Sequence, residues 1–591
     1  MKLIAPRLFL SLTLGLLIAF GSAACRSSDE TSTEADPGDV TSTWEPPRYQ
    51  EIRGVSLVEL RSAIADRLQE DRPASLDARD WRRVQALYAN YDTVALWLEE
   101  DADSERADAL IGALLTVHEH GLRGDRFPLV ELRDALKPID KARRPSAAQL
   151  AAADVMLSAT YVAFGEDLLI GQIDPSSVEQ QWHINQQAID IDSALARTLR
   201  LEPLDNAIAR LRPPDEQYEV LQHSLRHYRD LVERGGWPAI PEGETLERGD
   251  TASLERISAL AQRLEVEEYL PGNSSSSIRQ VQRPVDSTGA GQGSTPLAVY
   301  DERLAGAVAA FQSRHGIVVD SMVGPETLRS LNTPAEYRAG QIMANLERFR
   351  WLPRELGDRY VYVNVPAFRL DAYDNGAHVL EMRVIVGSEY EDRATPAFAD
   401  SMSYVEFAPY WTVPQEIAEN EIWPKVDADP DYFARNDFEV VEIGGREWVR
   451  QRPGDKNALG QVKFMFPNAH DIYLHDTPED ELFARDVRAL SHGCVRVGKP
   501  AELAAYALAH NDDWDDQRIR SAMDGQNRQV PLERKIPVYI VYFTTFVRDD
   551  VLHFGNDIYD RDSELVRLVS RSAVPTPDAV AMLEELRELV D

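Results

Sequence analysis

The chain is nearly without cysteine: Cys25 and Cys494 are the only two in 591 residues. So sparse a supply excludes a disulfide framework. Basic charge is also short. Lys and Arg total 63 against 99 Asp and Glu, a formal net charge of -36. Such a surface argues against nucleic acid and anionic membrane as electrostatic partners. The acidic residues are spread along the chain and read as a solvated surface rather than a binding tail. The apolar run Leu8–Phe20 falls short of the roughly 20 residues a spanning helix needs. What remains is an ordinary globular composition, 43% hydrophobic, in a chain long enough for more than one domain.

Residues 1–25 read as a secretory signal. Lys2 and Arg7 form a basic start, Leu8–Phe20 an apolar middle, and Gly21-Ser22-Ala23-Ala24 a small-residue cleavage site. Cys25 follows directly and resembles the lipid-modified cysteine of bacterial lipoproteins, with Ser22 where Leu is usual. The competing reading is ordinary cleavage with Cys25 incidental. Residues 26–49 are Ser-, Thr-, Asp-, Glu- and Pro-rich without apolar period, and are expected to be a flexible tether.

From residue 50 to 241 the period is helical, as in Leu57, Leu60, Ile64 and Leu68, with Pro and Gly punctuation between runs. His118, His120, His223 and His227 fall at helical spacing but have no matching cysteine or carboxylate constellation, so they do not read as a metal site. His120-Gly121-Leu122, the run from Asp167 to Pro175, and Tyr228-Arg229 with Gly235-Gly236-Trp237-Pro238 resemble the helical scaffold domain of larger Gram-negative L,D-transpeptidases. Residues 246–332 contain Phe311-Gln312, Gly316, Asp320, Gly324, Thr327 and Leu331-Asn332. This pattern resembles a three-helix peptidoglycan-binding module, with Ser321 where Gly is usual and an inserted Gly/Ser/Pro-rich loop over 271–295. The alternative for these residues is that they only close a helical bundle.

Beyond residue 338 an amphipathic helix (Ile342, Leu346, Phe349) precedes a switch to period two. Tyr360–Val365, Phe368–Tyr373 and Met382–Gly387 read as strands, with Asp374-Asn375-Gly376 as a hairpin turn. Residues of about 415–460 interrupt the strand pattern with helix-like and polar segments.

The chemistry concentrates at Ser491-His492-Gly493-Cys494-Val495-Arg496. A lone Cys beside Gly and His is either a buried structural thiol or a nucleophile. A nucleophile needs a base in reach, since a free thiol of pKa about 8.5 is little ionised at neutral pH. His475 and His492 are the candidate bases. Fifteen residues separate His475 from Ser491, and this full string resembles the signature of the L,D-transpeptidase catalytic domain. The resemblance covers residues 338–548 and implies these roles: Cys494 as nucleophile, and His475 as proton donor and acceptor, held by the backbone carbonyl of Asp476. N–H groups around His492, Gly493 and Cys494 form the oxyanion hole, with His492 and Ser491 in supporting positions. Arg496 either orients substrate or braces the motif. Trp411, Met465 and Asn468 are further substrate-binding candidates, with core or turn roles as the alternative for Met465 and Asn468. In larger family members an insertion such as 415–460 caps the cleft.

A zinc reading of His470, His475, His492 and Cys494 is chemically conceivable but leaves Gly493 unexplained. The implied reaction needs no cofactor and no metal. Its partners are peptidoglycan stem peptides and glycan, with a membrane lipid anchor through Cys25 and no nucleic acid. Alternatives are a carboxypeptidase, in which water resolves the thioester, and a non-catalytic wall-binding scaffold. The expected architecture is multidomain α + β: a helical scaffold (50–241), a peptidoglycan-binding module (246–332), a mostly-β catalytic domain (338–548) with a capping insertion, and a C-terminal extension (549–591). The expected location is exported, in the periplasm or cell envelope.

Overall fold

The computed structural model describes residues 42–43, 45, 50–99, 104–140, 142, 144–184, 189–272, 278–281, 296–389, 393–570 and 577–590. The stretch expected to be an export signal, the lipidation expected at Cys25, most of the expected tether and most of the 271–295 loop lie outside the described residues.

The architecture is multidomain α + β. The helical region is built around Ala147–Ile170 (α1), in which nearly every residue from Leu150 to Leu169 is buried. Helices pack around it, and the last helix, Pro577–Val590, adds Leu583, Leu586 and Val590 to the same core. α1 is long and apolar enough to cross a membrane, but 78% of its most apolar window is buried inside the protein. Continuous apolarity here marks a bundle's central helix. Two residues of the following segment, Trp182–His183 (β1), leave the bundle and pair with a strand of the distant β domain.

Glu216–Glu233 (α2) and Ala335–Arg350 (α3) form the joint between the two. The spacing of Ile342, Leu346 and Phe349 predicts an amphipathic helix, but α3 is buried on every side. The reason is its position between scaffold and sheet, where its polar face meets protein instead of water. Arg348 sits between Glu179 and Asp562, 2.7 Å from each. Arg350 donates to the His120 carbonyl at 3.0 Å and the Tyr218 hydroxyl at 2.8 Å. The scaffold strings singled out above converge on this helix. Ile173 N donates to Glu347 Oε1 at 2.8 Å, Arg229 reaches Met343 Sδ at 3.3 Å, and Gly171, at φ +87°, lies so close that a Cβ there would be 2.5 Å from Glu347 Oε1.

The β domain is Arg359–Asn364 (β2), Arg369–Asp374 (β3), Ala377–Gly387 (β4), Ala397–Phe407 (β5), Val462–Met465 (β6), Leu474–His475 (β7), Ala489–Ser491 (β8), Val495–Val497 (β9) and Arg528–Val541 (β10). Asn375 and Gly376 both have positive φ in the β3–β4 turn, as a tight hairpin requires. The strand order is β3-β2-β10-β5-β6-β7-β9-β4, and β4 pairs back to β3, so the sheet closes on itself. β8 adds to the end of β4 and β1 to the start of β5. The interior (Val361, Val363, Val538, Ile540) is continuous with Tyr218 of α2, Phe349 of α3, and Trp182 and Trp351. Residues 50–241 thus feed two cores, one their own and one shared with the sheet.

Residues 240–331 keep a separate core around Ile257, Leu260, Phe311 and Leu331. Gln312, fully buried, holds the following turn. Its amide donates to Asp320 Oδ1 and the Thr327 hydroxyl, and its carbonyl oxygen accepts from Asp320 N and Ser321 N. Ser321 takes φ +62°, so the turn adopts the left-handed geometry that glycine would find easiest. The insertion after β5 is more β-rich than its polar sequence suggests: a hairpin, Phe438–Ile443 with Arg446–Gln451, pairs with Trp411–Thr412. It packs on short helices through Val413, Ala418, Ile422, Phe438 and Val449.

Candidate active site

β7 lies between β6 and β9, and register decides who meets whom. Lys463 of β6 and Arg496 of β9 are the direct neighbours of His475 on either side. The pairing of Leu474 with Val495 sets Tyr473 opposite Cys494, so the thiol is one diagonal step from His475. Tyr473 and His475 share a face, their rings 5.7 Å apart.

Cys494 sits at the foot of β9, after a bend that needs Gly493 at φ +115°. Ser491 closes that bend: its hydroxyl donates to the Cys494 carbonyl at 2.6 Å and accepts from Gly493 N at 3.2 Å. Thr395 secures it from outside, donating to the Gly493 carbonyl at 2.8 Å. Of the three N–H groups expected to form an oxyanion hole, that of Gly493 is therefore engaged in holding the bend, leaving those of His492 and Cys494. The half-buried thiol lies 3.9 Å from the Asp471 carbonyl and also has Tyr473 as a hydrogen-bonding neighbour. Among the described residues it is not bonded to His475.

His475 is buried, and its Nδ1 lies 2.5 Å from the backbone carbonyl of Asp476. A carbonyl only accepts, so Nδ1 carries the proton and Nε2 is the free base. The Asp476 carboxylate turns away to accept from Gln461 N at 2.8 Å, and only its main chain touches the imidazole. Burial, then the Arg496 charge and more weakly Lys463, hold the His475 imidazole down at about 3, against the pull of the Asp476 carbonyl. Burial pushes the Cys494 thiol up, opposed by Tyr473 and Lys463. The resting pair is neutral thiol and neutral imidazole.

The remaining candidates are dispersed. His492 points away from the thiol to the insertion, its Nε2 2.6 Å from Glu421 Oε1. Arg496 is braced by Glu479 and by the Thr477 hydroxyl, the internal one of its two readings. Asn468 takes a turn role. Its amide donates to the carbonyls of Phe466 and Ile472, 2.7 Å each, and its oxygen accepts from His470 N. It thereby positions the loop that carries Asp471 to the thiol. Met465 ends β6, its carbonyl accepting from the Ser403 hydroxyl, and Trp411 packs beside Phe438 at the root of the insertion. His470 stacks on His183, centroids 4.5 Å apart, and does not join His475, His492 and Cys494 in a ligand cluster among the described residues. Sequence reasoning missed Lys463, Tyr473, Thr395 and Glu421. Lys463 and Tyr473 left a signal as residues of strand-like runs whose register was not assigned, and Thr395 as the start of Thr395-Pro396-Ala397-Phe398, a string that resembles the transpeptidase domain; Glu421 left none.

Comparison with known families adds three matches. Residues 358–534 match the profile for an L,D-transpeptidase catalytic domain. The chain carries an L,D-transpeptidase catalytic domain. Residues 82–225 match a scaffold domain and 274–331 a "Putative peptidoglycan binding domain". The chain is similar to a protein of Haemophilus influenzae named "Putative L,D-transpeptidase", 32% identical over 243 residues, or 38% of this chain and 48% of that one. The chain thus spans about half the length of this curated relative. The crystal structure of an L,D-transpeptidase from Xylanimonas cellulosilytica is 16% identical, covering 51% of this chain and 99% of that one at a TM-score of 0.15, which carries no weight for the fold.

Proposed function

We propose that the protein is an L,D-transpeptidase that forms 3→3 peptidoglycan cross-links through a thioester on Cys494, releasing D-Ala from a tetrapeptide stem. One arrangement carries this reading: a half-buried thiol on the Gly493 bend, one diagonal step from an imidazole whose Nδ1 proton is pinned by the Asp476 carbonyl. His475 Nε2 takes the thiol proton as the sulfur attacks the carbonyl of the third stem residue, whose amide to D-Ala is the bond that breaks. The S–C bond forms, and the N–H groups of His492 and Cys494 face the developing oxyanion. The imidazolium then returns its proton to the leaving amine of D-Ala, giving the thioester. An amine of a second stem attacks this thioester, His475 accepts the amine proton and passes it to the departing sulfur, and the amide is complete. Because both partners rest neutral, the thiolate forms with attack rather than before it, which spares a thiol in an oxidising compartment.

The module at 246–332 would hold the chain on glycan or stem peptide. The signal-like start supports an exported protein of the cell envelope, anchored by lipid at Cys25. Intact mass of the mature protein without added acyl groups would refute the anchor.

Purified protein and its Cys494→Ala variant, incubated with disaccharide-tetrapeptide, should differ completely by mass spectrometry. Dimer lacking one D-Ala, formed only with Cys494, is the expected result. Tripeptide without dimer would make the protein a carboxypeptidase. No product and no adduct on Cys494 would leave only a wall-binding scaffold.

A further inference from the structure

The register around His475 leaves a cation beside the thiol that no step of the reaction employs. Lys463 of β6 stands directly across from His475 on one side and from Glu406 of β5 on the other. Residues paired across a sheet share a face, and Tyr473, two positions before His475, shares it too. The Lys463 ammonium rests on the face of Tyr473, 3.8 Å from the ring centroid. Tyr473 in turn has its ring 5.7 Å from that of His475 and is a hydrogen-bonding neighbour of the Cys494 sulfur. Ammonium, ring, base and thiol therefore form one contiguous cluster.

The surroundings decide where this charge acts. Among the described residues the Lys463 ammonium makes no hydrogen bond or ion pair. Glu406 gives a carboxylate oxygen to Asn527, 2.9 Å away. Arg496, on the other side of His475, is paired with Glu479, and His492 is turned to Glu421. Burial pushes the Cys494 thiol up; the Tyr473 backbone, the Lys463 charge and the Tyr473 side chain oppose that rise, and Asp471 adds to it. For the imidazole the order differs: after burial, Arg496 is the chief charge holding it down, with Lys463 weaker. The two cations thus divide, Arg496 bearing on the base and Lys463 on the sulfur. Burial pulls the Lys463 ammonium itself below its ordinary value, against Glu406 and Cys494. A sulfur that turns anionic in a desolvated site gains most from a nearby cation to which no carboxylate is bound.

We propose that Lys463 is a positioning residue of the reaction: seated on the Tyr473 ring, it orients Tyr473 against Cys494 and presents an uncommitted positive charge to the sulfur as that atom becomes anionic. The sulfur does so twice, when it yields its proton to His475 in attacking the donor stem and when it departs from the thioester. The inference rests on the transpeptidase reading above and adds to it the group that favours both sulfur anions. The competing role for Lys463 is purely structural, its methylene stem covering the Tyr473 ring.

The test follows alkylation of Cys494 by iodoacetamide against pH in the full chain, read by peptide mass. Lys463→Met keeps the stem and removes the charge; Lys463→Arg keeps the charge. With Met the midpoint of the alkylation curve should rise by about one pH unit or more, and with Arg it should stay close to that of the unsubstituted protein. The midpoint is compared rather than the rate, because the nucleophilicity of a thiolate itself changes with its pKa. Lys463→Gln takes the place of Met if the Met variant melts at a lower temperature. A midpoint unmoved by removal of the charge, as an uncharged or merely structural lysine would leave it, or one that Arg displaces as far as Met does, would overturn the proposal. Thioester formation on Cys494 with tetrapeptide reports separately on the reaction. Its absence in the unsubstituted protein would refute the transpeptidase reading while a charge-dependent midpoint still stood; its presence beside an unmoved midpoint would refute the role of Lys463 alone.

Discussion

The scaffold and the insertion over the site both grip the barrel through a polar side-chain contact of nearly the same length, yet the two joints are energetically opposite. Arg348 meets Glu179 and Asp562 at 2.7 Å with side chains 0–1% exposed, inside a core continuous with the sheet. His492 meets Glu421 at 2.6 Å with both side chains about one-third exposed, and the insertion keeps its own small core. Geometry alone would rank these contacts equal. Dielectric does not: water screens the second pair and solvates its partners when they part, whereas a broken buried pair leaves charge stranded. The scaffold is therefore welded to the catalytic domain, while the insertion is held by a contact it can exchange for water.

Four substitutions test that contrast, in descending effect. Arg348→Ala strands two buried carboxylates and should cost about 3–5 kcal/mol, seen as a large fall in the melting temperature of the full chain; a loss below ~1 kcal/mol would mean the joint is not welded. His475→Gln addresses the chemistry between the joints. Burial holds the His475 imidazole at about 3, below its unfolded value of about 6.5. The unfolded state thus binds the extra proton first, and the stability contributed by the neutral ring is full above about pH 6.5 and drains away as pH falls toward 3. Removing the ring should flatten that acid-side loss, by an amount on the order of a few kcal/mol; denaturation midpoints that keep the same slope between pH 6.5 and 3 would contradict the buried neutral base. Gly171→Ala sets a Cβ at positive φ against Glu347 and should cost about 1–3 kcal/mol, with unchanged stability showing that α3 can shift. Glu421→Gln should change stability by less than ~1 kcal/mol. Its effect should appear instead as faster amide exchange confined to residues 411–451, and a large stability loss would erase the contrast.

Much of this was legible in the order of residues. A thiol after Gly nominates Cys494, with His475 and His492 as candidate bases, and the resemblance to the transpeptidase signature implies His475. Period two marks β2, β3 and β4, and Asn375-Gly376 marks their turn. What stayed hidden involves partners far apart in the chain. The burial of α3 on all sides depends on Glu179 and Asp562, which lie 169 and 214 residues from Arg348, and β1 joins β5 across more than 200 positions.

The order of residues by itself determined the helical and strand periods and the bend that presents the thiol, since each depends on local backbone preference or short spacing; between His475 and His492 as base it left the choice to a family resemblance. Tertiary structure alone decided that Lys463 and Arg496 flank His475, that the Gly493 N–H is occupied, that His492 turns to Glu421, and that Lys463 rests on the face of Tyr473. Those outcomes depend on strand register and on which surfaces close over one another, and burial then sets the worth of every charge involved.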